Sequence, residues 1–207
     1  MRSTTKSTVL AVTFALLGLA GCGGTGASDM EGMDHGSTAP AASPSADSGT
    51  AVPGNPADVT FAQGMIPHHQ QAVELSDTLL RKSGVSTETA ALARQITAAQ
   101  QPEITTMQGW LAAWGQSEHA DMEGMDHHSG TDGMATSAQL TALGQAEGKT
   151  AEKLYLELMT AHHRGALTMA QTEIDGGSHA EAIALARNIL SSQQAEIDAM
   201  SELLAAV

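Results

Sequence analysis

The chain has 207 residues, 23 of them acidic against 9 basic, for a formal net charge of −14. That balance excludes nucleic acid as a partner, because phosphate binding needs clustered Lys and Arg. Five aromatic residues stand against eleven methionines, so the core must rest on Leu, Ile, Ala and Met, and a single cysteine excludes a disulfide within the chain.

The first 21 residues have the layout of a secretory signal peptide. Arg2 and Lys6 precede an apolar run from Val9 to Ala20, too short to be a comfortable transmembrane helix. Leu19-Ala20-Gly21-Cys22 is similar to a bacterial lipobox, and Cys22 then becomes the lipid-bearing first residue of an extracytoplasmic, membrane-anchored lipoprotein at the cell surface or in the periplasm. Cleavage removes two basic residues and no acid, leaving 7 basic against 23 acidic and a net charge of −16 on 186 residues. That length suits one domain with tails.

Residues 22–57 are rich in Gly, Ser, Thr, Ala and Pro and read as a flexible tether carrying a Met/His motif. Residues 58–114 form the first expected helical hairpin. Asn55-Pro56 starts its first helix, Ser83-Gly84 stops it, and Leu92, Ile96, Met107, Leu111 and Trp114 make an apolar stripe on the second. Residues 115–135 are a Met/His-rich linker. Residues 136–207 form the second hairpin, with a stop at Gly176-Gly177. Its last helix opens on a capping-box pattern of Ser178 and Glu181, with a stripe of Leu185, Ile189, Met200 and Leu204. Strand signals are absent.

The hairpins are copies. Phe61, Met65, His68, His69 and Ala72 match Tyr155, Met159, His162, His163 and Ala166 at a spacing of 94. LARQI (92–96) matches LARNI (185–189), and QQPEI (100–104) matches QQAEI (193–197), both at 93. The segment DMEGMDH recurs as well, at 29–35 and 121–127. Two amphipathic hairpins predict an all-α four-helix bundle. Packing within one chain and exchange between two chains both satisfy the pattern, and the oligomeric state stays open.

At about 100° per residue, His68 and His69 flank Met65 on the face shared with Phe61 and Ala72, and His162 and His163 flank Met159 in the same way. Both doublets therefore face the apolar stripe. Folding each hairpin about its glycine sets His68 level with Gln100 and Glu103, and His162 level with Gln193 and Glu196. Polar groups on a core stripe are expected only where they hydrogen-bond. Glu103 and Glu196 are accordingly expected to orient the imidazoles. Met107, Met169 and Met200 are possible further sulfur donors, although methionine at helical spacing is more often core packing.

Met30, Met33, His35, Met122, Met125, His127 and His128 lie in acidic, glycine-containing stretches with no apolar face to pack. Thioether sulfur suits Cu(I), imidazole accepts copper in either oxidation state, and neighbouring carboxylates help retain Cu(II). The methionines favour Cu(I) over Cu(II) and argue against zinc or nickel.

The repeated Met-x-x-His-His-x-x-Ala core on duplicated hairpins resembles the bacterial domain-of-unknown-function 305 family over roughly residues 58–207. The resemblance implies a ferritin-like four-helix bundle and copper binding linked to copper tolerance. It places copper at Met65, His68, His69, Met159, His162 and His163. Pro67 departs from the second copy, which has Ala161, and a mid-helix proline favours a kink. The two sets are therefore expected to differ in geometry.

Three functions follow. The leading one is a copper-binding protein that buffers, sequesters or delivers the ion, with a metal-accepting or metal-donating protein as a possible partner. A helical module that binds a protein partner, with structural histidines, leaves the tail methionines unexplained. A metal-dependent oxidase ranks lowest, because a di-iron bundle needs Glu-x-x-His and none occurs in the sequence; the chain is not expected to be an enzyme.

Overall fold

A computed structural model describes residues 53–118 and 133–207. They form α1 (Pro56–Leu80), α2 (Thr87–Ala113), α3 (Ser137–Gln145), α4 (Gly148–Gly176) and α5 (Ala180–Ala206), with no strand among the described residues. The four long helices are the two expected hairpins. Helix α3 is an addition within the span assigned to the second hairpin. Thr136 caps it in a box with Gln139, and Leu143 is its one fully buried side chain. Nine residues are too few to show a stripe, so it left no periodic trace. Among the described residues no helix is long and apolar enough to cross a membrane.

Helix α1 begins where the sequence places it. The Asn55 side chain accepts from the N–H of Ala57 and Asp58, Asp58 accepts from the Asn55 N–H at 2.6 Å, and Pro56 occupies the first turn. The turn after it passes through Gly84 at φ +72°, a conformation that favours glycine. Pro67 and Pro102 both lie on exposed faces, and α1 and α2 run through them without interruption. A hydrogen bond lost on the water-facing side is replaced by solvent.

Helix α5 does not open on the expected Ser178 cap. Its N-cap is His179, whose Nδ1 accepts from the Ala182 N–H at 3.3 Å. Ser178 is engaged elsewhere. Its N–H and hydroxyl donate to the Asp58 carboxylate at 3.0 and 3.1 Å, and the His179 N–H donates to it at 2.9 Å. A carboxylate on α1 thus claims the turn between α4 and α5. Burial raises the pKa of Asp58, but the neighbouring Glu173 carboxyl and hydrogen bonds from the backbone N–H groups of His179, Asn55 and Ser178 outweigh it and hold the group below the usual carboxylate range.

The other half mirrors this arrangement. Glu152 lies 94 residues after Asp58 and accepts from Thr89 Oγ1 at 2.6 Å and from the Ser86 hydroxyl. Ser86 caps α2. Each hairpin's turn is therefore held by an acid on the first helix of the other. Here too burial raises the carboxyl's pKa and the Ser86 and Thr89 hydroxyls more than offset it.

Two apolar clusters result. One joins Leu75, Leu79, Leu92 and Ile96 of the first hairpin to Tyr155, Leu156, Met159 and Met200 of the second. The other joins Phe61, Met65, Ile104 and Leu111 to Ala166, Met169, Ala186 and Ile189. The α2 stripe buries as expected except at Trp114, which is half-buried at the helix end. On α5, Ile189 and Met200 are fully buried, but Leu185 and Leu204 are only partly so. Ala182 and Ala186 take the inward positions there, where a methyl group is enough to fill the space.

Candidate metal centre

A polar layer separates the two apolar clusters. His68, His69, His162 and His163 are all fully buried, and Gln100, Gln193 and Glu196 nearly so. Met65 and Met107 belong to the cluster on one side, Met159 and Met200 to the cluster on the other, and all four are inaccessible to solvent. Met169 lies with the first pair. The Thr160 hydroxyl donates to the Leu156 carbonyl at 2.7 Å and also lies 3.7 Å from Met200 Sδ.

The two doublets meet. The rings of His68 and His162 lie 3.6 Å apart between centroids, tilted by 36°. Helical pitch predicts that each doublet points inward, but not that the first histidines of the two copies would touch. Burial, and then the neighbouring rings of His68, His163 and His69, push the pKa of His162 well below the ordinary histidine value. It is neutral and keeps a lone pair.

The second histidine of each doublet is held by the expected glutamate. His69 Nε2 donates to Glu103 Oε2 at 2.7 Å, and His163 Nε2 donates to Glu196 Oε2 at 2.8 Å. A carboxylate accepts, so Nε2 carries the hydrogen, which makes Nδ1 the lone-pair atom of the neutral ring. Nδ1 of both His69 and His163 is buried with no hydrogen-bond partner. The two copies differ in shelter rather than in distance: Glu103 is 21% exposed and Glu196 7%.

Gln100 departs from expectation, since neither its amide nitrogen nor its oxygen finds a partner, and Gln193 Oε1 is likewise alone. Unsatisfied polar atoms at this depth are costly unless something else binds them. Among the described residues no three His, Cys, Asp or Glu side chains converge as a ready-made metal cluster. The other donors buried beside the imidazoles are the thioethers of Met65, Met107, Met159 and Met200 and the unpartnered amide oxygens of Gln100 and Gln193. Two buried imidazole lone pairs with four buried thioethers are a soft donor set, which fits Cu(I) or Ag(I) far better than a hard cation.

The remaining candidates, Cys22, Met30, Met33, His35, Met122, Met125, His127 and His128, lie outside the described residues. Sequence reasoning missed Gln71. Its Nε2 donates to the Ala135 carbonyl at 2.9 Å and its Oε1 accepts from the Ala135 N–H at 2.6 Å. It also missed the buried Ser76–Tyr155 hydroxyl pair at 3.0 Å. Both pairings join segments far apart in the chain, 64 and 79 residues, so no local spacing carried a signal for either.

The fold and its layer define a helical bundle with paired soft-donor motifs at its centre. The chain belongs to the DUF305 family (Domain of unknown function), which it matches over residues 58–204. A DUF305 protein from Streptomyces coelicolor, described as secreted, is 39% identical over 72% of this chain and 91% of that one, with a TM-score of 0.67. A DUF305 fragment from Deinococcus radiodurans is 31% identical over 75% and 100%, with a TM-score of 0.67. CopM in its Cu(II)-bound form is 30% identical over 72% and 95% at a TM-score of 0.60. In its Cu(I)-bound form it is 29% identical over 70% and 94% at 0.58. No curated protein matches the sequence.

Proposed function

We propose that this chain binds copper outside the cytoplasm and buffers, sequesters or delivers it, acting as a carrier rather than a catalyst. One observation carries the reading. The His68–His162 contact brings both Met-x-x-His-His sets to one buried place, where the Nδ1 atoms of His69 and His163 have no protein partner. The solved forms of CopM with Cu(I), Cu(II) and silver support the choice of metal. Cu(I) is favoured because the thioethers are soft. Met65, His68, His69, Met159, His162 and His163 hold the ion, with Met107, Met169 and Met200 as further sulfur donors. Glu103 and Glu196 orient the rings.

Lipid on Cys22 anchors the protein to the membrane, and the Met/His segments at 29–35 and 121–128 capture the ion before the bundle takes it. A metal-donating or metal-accepting protein is then its functional partner. The test is an anaerobic Cu(I) competition titration of the mature protein. It is repeated with His68, His69, His162 and His163 changed to Ala, and with zinc as control. Loss of whole equivalents of Cu(I) in the variant is expected. Undiminished binding returns the doublets to a structural role and moves the metal to the tails.

A further inference from the structure

The segment just before α3 is pinned to both helices that carry the doublets. Ala135, buried, exchanges two hydrogen bonds with the side chain of Gln71 on α1, one turn beyond His68. Two residues earlier, Gly133 adopts φ +81° and packs so tightly on α4 that a Cβ there would collide with the Ala161 carbonyl and approach the Gly165 N–H to 3.2 Å. Ala161 immediately precedes His162, and Gly165 lies one turn after Ala161. Residues 133–135 therefore cross from α4 to α1 within about a turn of both members of the His68–His162 contact. The glycine is required by both the backbone angle and the close approach.

We infer that residues 133–135 form a strap over the α1–α4 seam, and that Gln71, by holding it, sets the rate at which soft cations reach and leave the buried imidazoles. Gln71 is a positioning residue, with no donor role toward the metal. The inference rests on the copper reading for its cation, but the strap itself does not. Its anchor is a bidentate amide–backbone pair, and losing two hydrogen bonds of ordinary strength raises the population of a lifted strap about tenfold or more. A gate that is shut in both the free and the loaded protein changes association and dissociation rates by one factor. The equilibrium constant is then unmoved.

Gln71→Ala, Gln71→Glu and Gly133→Ala form a graded series. Gln71→Glu keeps the acceptor for the Ala135 N–H and loses the donor to its carbonyl, while Gly133→Ala pushes the strap off α4. The first measurement needs no metal. Diethylpyrocarbonate modification of the full chain is followed by peptide mass spectrometry, with the partly exposed His179 as internal reference. Modification at His68 and His162 is expected to quicken about tenfold in Gln71→Ala and Gly133→Ala, and by less in Gln71→Glu. Rates equal to wild type overturn the strap. The second measurement is stopped-flow binding of Ag(I) and its removal by a chelator. Both rates should rise by a similar factor at constant affinity. A fall in affinity with unchanged association assigns Gln71 a merely structural role and refutes the gate. Histidine labelling that responds while wild type binds no Ag(I) leaves the strap standing and sinks the copper reading instead.

Discussion

Replacing Glu173 by leucine should stabilise the protein, and more so as the pH rises. Glu173 is 1% exposed and lies beside the ionised Asp58. Gly177 packs over it so closely that a Cβ there would strike its carboxyl oxygen. In the first repeat the equivalent position, 94 residues earlier, is Leu79. Burial, with the neighbouring Asp58 carboxylate and its charge, raises the Glu173 pKa from 4.5 to about 8. The folded chain therefore holds a proton that the unfolded chain releases above its own, lower pKa. Stability falls as pH climbs from about 4.5 to about 8 and levels off beyond. At about 1.4 kcal/mol per pH unit the full cost approaches 5 kcal/mol, and solvent screening at the end of the bundle brings it to about 2 kcal/mol near pH 8. Urea melts of wild type and Glu173→Leu between about pH 5 and about pH 9 read the difference directly. The two stabilities should nearly coincide at the acid end and part by about 2 kcal/mol at the alkaline end. Parallel profiles would mean that Glu173 is ionised in the folded state and that the argument is wrong.

Changing Glu103 and Glu196 together to Gln should lower copper affinity about tenfold to a hundredfold while the bundle stays folded, because the imidazoles lose their charged acceptors; competition titration alongside circular dichroism checks both halves of the statement. Tyr155→Phe should cost about 1 kcal/mol in thermal unfolding, since Ser76 Oγ loses its buried partner but has a helix carbonyl within reach. Asp58→Ala should cost about 2 kcal/mol at neutral pH through the lost cap and the freed turn. The lowered Asp58 pKa means that its ionic contribution is complete above the unfolded value of 3.8 and is lost as pH falls through the folded one, so the gap between variant and wild type should narrow steadily in melts taken down into the acid range below the unfolded value.

The long helices and their duplication were legible because a 3.6-residue period repeats over many turns. The inward aim of Met65, His68 and His69 followed from helical pitch alone. The pairing of the doublets with Glu103 and Glu196 was legible because both hairpins fold about glycines whose positions fix the register. Contacts between the hairpins were hidden. Nothing local in His68 or His162 announces that their rings meet, since that depends on how closely α1 approaches α4. Ser178 looked like a cap because a serine three residues before a glutamate ordinarily is one. Asp58, 120 residues away, takes its N–H and hydroxyl, and His179 caps in its place. Gln71 was invisible for the same reason, because its partner is a backbone segment brought over from the far side of the linker.

The reciprocal hold of Asp58 and Glu152 makes the chain resemble a dimer of two hairpins joined into one polypeptide. Neither half can finish its own turn without the acid lent by its twin. Separately expressed hairpins should consequently be poorly ordered alone and should reconstitute when mixed. Unfolding of the intact chain should be a single event rather than a peeling of one hairpin from the other. With its four buried histidines split evenly between the two hairpins, the polar layer is then ordered or lost as a whole, and no half-folded form keeps part of it in place.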